Sequence, residues 1–112
     1  MSERRLLIDD TRDEGSENIK MRLDVIARNQ WEGMRQLIDN GPWDLLLLDY
    51  DLHSYDKDGK EWTGYHIASY LEEPAYKGNW SVIPKKIICV SSNPEGARRI
   101  NVALTRIEEL RK

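Results

Sequence analysis

Leu45-Leu46-Leu47-Leu48-Asp49-Tyr50-Asp51 decides the fold. Four leucines in a row have no amphipathic period. Asn40-Gly41-Pro42 stands before them and a charged segment follows. A short continuous apolar run with such borders reads as a strand buried on both faces, central in a parallel sheet with helices on both sides. The run ends in two carboxylates, Asp49 and Asp51. In open α/β sheets ligands bind in the crevice beyond the carboxyl ends of the strands, so these acids mark a candidate site.

Working outward, Arg4 to Asp9 reads as a first strand ending in Asp9-Asp10, and Thr11 to Ser16 as a polar loop. Lys20 to Ala27 alternates, with Met21, Leu23, Val25 and Ala27 on one side, which predicts an edge strand with one wet face. Asn29, with Glu32 three residues later, predicts a capped helix carrying Trp31, Met34, Leu37 and Ile38 and stopped by Gly41-Pro42. His53 to Trp62 reads as a charged loop. Thr63 is expected to cap a helix with Ile67, Tyr70 and Leu71, ended by Pro74. Ala75 to Pro84 is irregular, and Lys86 to Val90 is another short apolar strand. Asn93-Pro94 opens a last helix whose apolar face is Ala97, Ile100, Leu104, Ile107 and the Leu110 region.

The order β-β-α-β-α-β-α predicts a four-stranded, mostly parallel sheet in the order 2-1-3-4 with right-handed crossovers, formed by one domain spanning residues 1–112. The link from the first strand to the second carries no helix and has to cross by loop alone. A net charge of −3 with both signs mixed excludes a broad nucleic-acid-binding face. No apolar run is long enough to span a membrane, and no signal peptide is expected before the first strand. The lone Cys89 fits a reducing, cytoplasmic setting.

In such a sheet three strand ends converge. Asp9, Asp10 and Arg12 come from the first, Asp49, Asp51 and His53 from the third, and Ser91, Ser92 and Asn93 from the fourth. The start of the last helix adds its amides with Arg98 and Arg99, which as neighbours point about 100° apart, so that at most one faces the site. Carboxylate oxygens suit a hard divalent cation, so Asp9, Asp10 and Asp49 are the candidate ligands and Mg²⁺ the candidate cofactor. Helix amides and arginine suit a phosphate. Asp56-Lys57-Asp58-Gly59 has the opening of a calcium loop, but Tyr65 stands where the closing glutamate belongs. His66, early in a helix, reads as a surface or capping residue.

Asp9-Asp10, Asp49, Thr63-Gly64-Tyr65 and Ser91 resemble, in order, the acidic pair, phosphoacceptor, helix-opening turn and hydroxyl residue of a response-regulator receiver. A receiver's lysine ends a fifth strand, and the chain stops before any fifth strand. Leu7-Ile8-Asp9-Asp10-Thr11-Arg12, Leu48-Asp49-Tyr50-Asp51-Leu52, Thr63-Gly64-Tyr65 and Ser91-Ser92-Asn93-Pro94-Glu95-Gly96 are together similar to the cyclic-phosphate-processing receiver family. That resemblance covers nearly the whole chain. It implies a small receiver-like, flavodoxin-like three-layer fold acting on cyclic phosphates of nucleotides or RNA ends. Asp10, Asp49 and Asp51 would be its catalytic acids, and Arg12, His53, Ser91, Ser92, Asn93 and Arg98 its ligand-binding residues. Where the family usually carries histidines, this chain has Tyr50 and Val90, and valine transfers no proton. Three functions therefore stay open: a phosphate-ligand binder or processor, a non-catalytic module for a protein partner, and an atypical phosphoacceptor using Asp49.

Overall fold

The computed structural model describes residues 3–112; Met1 and Ser2, part of the expected single domain, lie outside the described residues. Strands β1 (Arg5–Ile8), β2 (Val25–Ala27), β3 (Leu45–Leu48) and β6 (Lys86–Cys89) form one sheet in the order β2-β1-β3-β6. Every pairing is parallel: Leu6 lies opposite Val25 on one side and Leu46 on the other, and Leu46 opposite Ile87. This is the expected 2-1-3-4 order of a receiver-like α/β fold. All four leucines of β3 are buried. Alternation sends Leu46 and Leu48 to one face with Leu6, Ile8 and Ala27, and Leu45 and Leu47 to the other with Leu7 and Val90.

The two faces are covered differently. Helices α1 (Gln30–Asp39), α2 (Gly64–Tyr76) and α3 (Pro94–Arg111) all pack on the Leu46 face, through Leu37, through Ile67 and Leu71, and through Ile100 and Leu104. Among the described residues the Leu47 face has no helix. Its layer is the β1–β2 connection, which lays Ile19, Met21 and Leu23 across it. Helices on both sides were the expectation; because that connection carries no helix, the third layer is loop. Asn18 Nδ2 ties it to the carbonyl of Val90 at 2.7 Å. Ile19→Ala is expected to cost about 2–3 kcal/mol although Ile19 belongs to no regular element, because its side chain is buried; urea unfolding measures it.

Other elements depart from expectation for local reasons. Pairing along β2 begins only at Val25, not Lys20, since Lys20 is left-handed (φ +44°) and Met21 and Leu23 are drawn to the Leu47 face. In α1, Trp31 and Ile38 are exposed while Gln30 and Gly33 are buried. The helix meets the sheet through Gly33, where a Cβ would come within 2.8 Å of Ile8 Cδ1; Leu37 and Met34 stay on the core as expected, while Trp31 and Ile38 are turned outward. In α2 the chain runs through Pro74 to Tyr76. The turn closes beyond the proline through the Lys77 N–H on the Glu73 carbonyl and the Asn79 N–H on the Pro74 carbonyl, with Ala75 buried. The expected 53–62 loop holds a hairpin, β4 (Ser54–Tyr55) and β5 (Glu61–Trp62), and Trp80–Val82 forms a 3₁₀ turn. In α3 the face is Gly96, Ile100, Ala103, Leu104 and Ile107, with Leu110 exposed.

Candidate functional site

The parallel sheet puts the residues after β1, β3 and β6 at one end. Asp9 and Asp49 are buried there, at 0% and 4% exposure. Asp9 Oδ1 accepts from the backbone N–H groups of Thr11 and Arg12 at 3.0 and 3.1 Å, and Oδ2 accepts from Arg12 Nη1 at 2.8 Å. The same Nη1 lies 3.4 Å from Asp49 Oδ1. Asp49 Oδ1 also accepts from the Tyr50 N–H at 2.9 Å, and the nearby Ser91 hydroxyl favours the charge of this carboxylate while its Oγ accepts from the Asn93 N–H at 3.1 Å. Arg28 Nη1 donates to the carbonyls of Arg12 and Asp9, at 2.6 and 3.3 Å, and so pins the turn that carries Arg12.

Asp10 has a different basic partner. Its Oδ2 is 2.6 Å from His53 Nδ1. His53 is held in a left-handed conformation (φ +50°), unusual for a residue with a Cβ, which aims it back across the strand ends. Asp51 Oδ2 accepts from Asn93 Nδ2 at 3.4 Å; Asn93 also caps α3, its Oδ1 accepting from the Gly96 N–H at 3.0 Å. An open cleft of about 340 Å³ results, lined by Asp10, Thr11, Arg12, Asp49, Asp51, His53 and Ser92.

Two glycines allow this convergence. A Cβ on Gly64 would stand 1.9 Å from the Asp49 carbonyl oxygen, so α2 starts against the end of β3, with the Gly64 N–H donating to the Tyr50 carbonyl at 2.9 Å. A Cβ on Gly96 would lie 2.3 Å from the Tyr50 ring, which fills the space under α3. The Tyr50 hydroxyl accepts from Arg99 Nη1 at 3.0 Å, and Arg99 stacks over Tyr65 at 4.6 Å. Tyr50 is thus taken up in packing, and Val90 is buried on the Leu47 face. His66 closes the start of α2, its Nδ1 accepting from the Thr63 N–H at 2.9 Å.

The charges are unequal in consequence. Burial, and then the charge of Asp9, push the Asp49 carboxyl up to about 6, against the pull of Arg12. The hydrogen bond to Asp9 raises the Arg12 guanidinium further, and the bond to Asp10 raises His53. Asp9, Asp10 and Asp49 each offer an oxygen within 4.8 Å of the others, a group that could hold a metal ion. Those carboxylates already have basic partners, however: Arg12 for Asp9 and Asp49, His53 for Asp10.

Of the residues singled out from sequence, Asp10, Arg12, Asp49, Asp51, His53 and Ser92 share the cleft. Asp9, Ser91 and Asn93 do not line it: Asp9 bonds Arg12, Asn93 bonds Asp51, and Ser91 Oγ accepts from the Asn93 N–H. Arg98 pairs with Glu95 on the exposed side of α3, outside the cleft. Arg99, the other arginine in the first turns of α3, lies over Tyr65 and bonds Tyr50. Sequence reasoning missed Thr11 and Arg28. An aspartate followed by turn residues signals the amide at Thr11; nothing local signals Arg28.

The model of the cyclic-phosphate processing receiver domain matches residues 4–106. No curated protein and no solved structure matches the chain. Over nearly its whole length, then, the chain belongs to the cyclic-phosphate processing receiver family.

Proposed function

We propose that the cleft binds a phosphate-bearing ligand, a cyclic phosphate of a nucleotide or of an RNA end. The observation that carries this is Arg12 and His53 on one open cleft, in a chain of this family. Charge favours the cyclic ester. Asp10, Asp49 and Asp51 line the same cleft, and a phosphomonoester brings nearly two negative charges against them where a cyclic diester brings one. Ser92 and the Thr11 backbone add neutral groups. Mg²⁺ could enter only by competing with Arg12 and His53 for the acidic oxygens.

Opening a cyclic phosphate adds water across one ring P–O bond: the water oxygen bonds to phosphorus and the freed ring oxygen leaves protonated. His53 is the group suited to moving that proton, since Asp10 occupies Nδ1 and leaves Nε2. Thermal melting with 2′,3′-cyclic AMP, 3′-AMP and inorganic phosphate tests binding. The cyclic ester is expected to stabilise by about 2.7 kcal/mol at a hundred times its Kd, and 3′-AMP less. Phosphorus NMR follows ring opening, and His53→Ala is expected to slow it by about 100-fold or more. No shift with any phosphate compound sinks the binding function.

A protein-partner role has one observation in its favour. Trp31, 61% exposed, stands beside a groove of about 330 Å³ between β2 and α1. An Asp49 phosphoacceptor is tested by acetyl phosphate and intact mass. No described helix is long and apolar enough to cross a membrane; a cytoplasmic setting rests on the single, half-buried Cys89.

A further inference from the structure

We propose that Arg12 is the resident cation of the cleft, standing between Asp9 and Asp49 in place of a divalent ion, so that the anionic ligand is bound without a metal. The ligand half rests on the phosphate-binding function above; the cation half does not.

Two buried carboxylates side by side require a positive partner. Arg12 supplies it, with a side chain only 19% exposed. It grips Asp9 from both ends, by its backbone N–H on Oδ1 and by Nη1 on Oδ2, and reaches Asp49 with the same nitrogen. Arg28 fixes the Arg12 carbonyl, so the guanidinium is held at its root as well as its tip. A hard divalent ion needs about six oxygens turned toward one point at roughly 2.0–2.6 Å. Here both oxygens of Asp9 face N–H donors, Asp49 Oδ1 faces Tyr50 and Arg12, and Asp10 Oδ2 faces His53. The acidic group has the composition of a metal site, but four of its six carboxylate oxygens already face donors or a basic partner. Arg12 Nε and Nη2 make no hydrogen bond among the described residues, and Arg12 lines the cleft. A guanidinium fork presented in this way suits two phosphate oxygens.

The test is a Mn²⁺ titration followed by electron paramagnetic resonance on the full chain, with Arg12→Ala and Arg12→Lys beside it. The wild type is expected to show no saturable Mn²⁺ binding below several millimolar, and Arg12→Ala to bind at least tenfold more tightly. An alanine variant that folds only with Mn²⁺ present gives the same support. Arg12→Lys, which keeps the charge, is expected to stay as silent as the wild type. Submillimolar Mn²⁺ binding by the wild type overturns the proposal. So does an alanine variant that gains nothing, or a lysine variant that gains as much as alanine. Titration of 2′,3′-cyclic AMP in EDTA and in Mg²⁺ separates the two halves. Equal affinity supports a metal-free site, and binding only with Mg²⁺ overturns it. No binding in either buffer overturns the phosphate-binding function, while the Mn²⁺ result still decides the role of Arg12.

Discussion

Asp49→Asn is expected to melt roughly 5–10 °C above the wild type at pH 7, with the gap closing as the pH falls from 6 to 4. The folded protein holds the Asp49 carboxyl at about 6, against an ordinary value of 3.8. A carboxyl raised on folding favours the folded state while it is protonated. That contribution is complete below the ordinary value and is lost as the pH rises through the folded one. A gap of about two pH units corresponds to about 3 kcal/mol, since each unit is worth about 1.4 kcal/mol. The pull of Arg12 is already contained in that value; an amide nitrogen that cannot accept a hydrogen bond offsets some of the gain, leaving about 2 kcal/mol. Asparagine keeps an oxygen for the Tyr50 N–H. Asp24, Asp44 and Asp56 are held below the ordinary range by backbone N–H donors, and Glu95 by Arg98, so they act in the opposite sense. They are common to both proteins and cancel in the difference. Calorimetric melts at half-unit steps from pH 4 to 7 check the result, and a gap that does not change with pH refutes burial of the Asp49 charge as its cause.

Gly64→Ala carries the largest expected loss. Its methyl group would sit 1.9 Å from the Asp49 carbonyl oxygen and 2.9 Å from the carbonyl carbon, both backbone atoms of the central strand's end. Neither can swing aside as a side chain would. The start of α2 has to lift off β3, loosening the Gly64–Tyr50 hydrogen bond and the packing of Ile67. A cost of about 3 kcal/mol or more follows, with a weakened cleft, because Asp49 is the residue pushed. Gly15→Ala, whose added atom meets only Asp13 Oδ1 at 3.5 Å, is the control and is expected to stay within about 0.5 kcal/mol of the wild type. Chemical denaturation of the two variants side by side measures the contrast.

The leucine run and the alternation of elements made the sheet legible, because burial on both faces writes an unbroken apolar string that few other environments produce. The converging acids followed from the same topology, since in a parallel sheet every strand ends at one side. The turn of α1 did not follow, because Gly33 makes its contact by lacking a side chain, which hydrophobic patterning cannot register. The hairpin escaped because two-residue strands are too short to show a period. At the site, Asp10, Arg12, Asp49, Asp51 and His53 could be nominated from their neighbours in the chain. Arg28 and Arg99 act across 16 and 49 residues of sequence, and only the folded chain brings them to Arg12 and Tyr50.

The segment laid across the Leu47 face begins at Asp10 and Arg12 and is tied by Asn18 to the strand that delivers Ser91. Insulation of the core and arrangement of the cleft are therefore vested in a single stretch of irregular backbone, the kind of structure that opens first in local fluctuations. A ligand that grips Arg12 and Asp10 from solvent is expected to clamp this cover too, so that occupancy at the mouth would be read as slower exchange in the layer over Leu47.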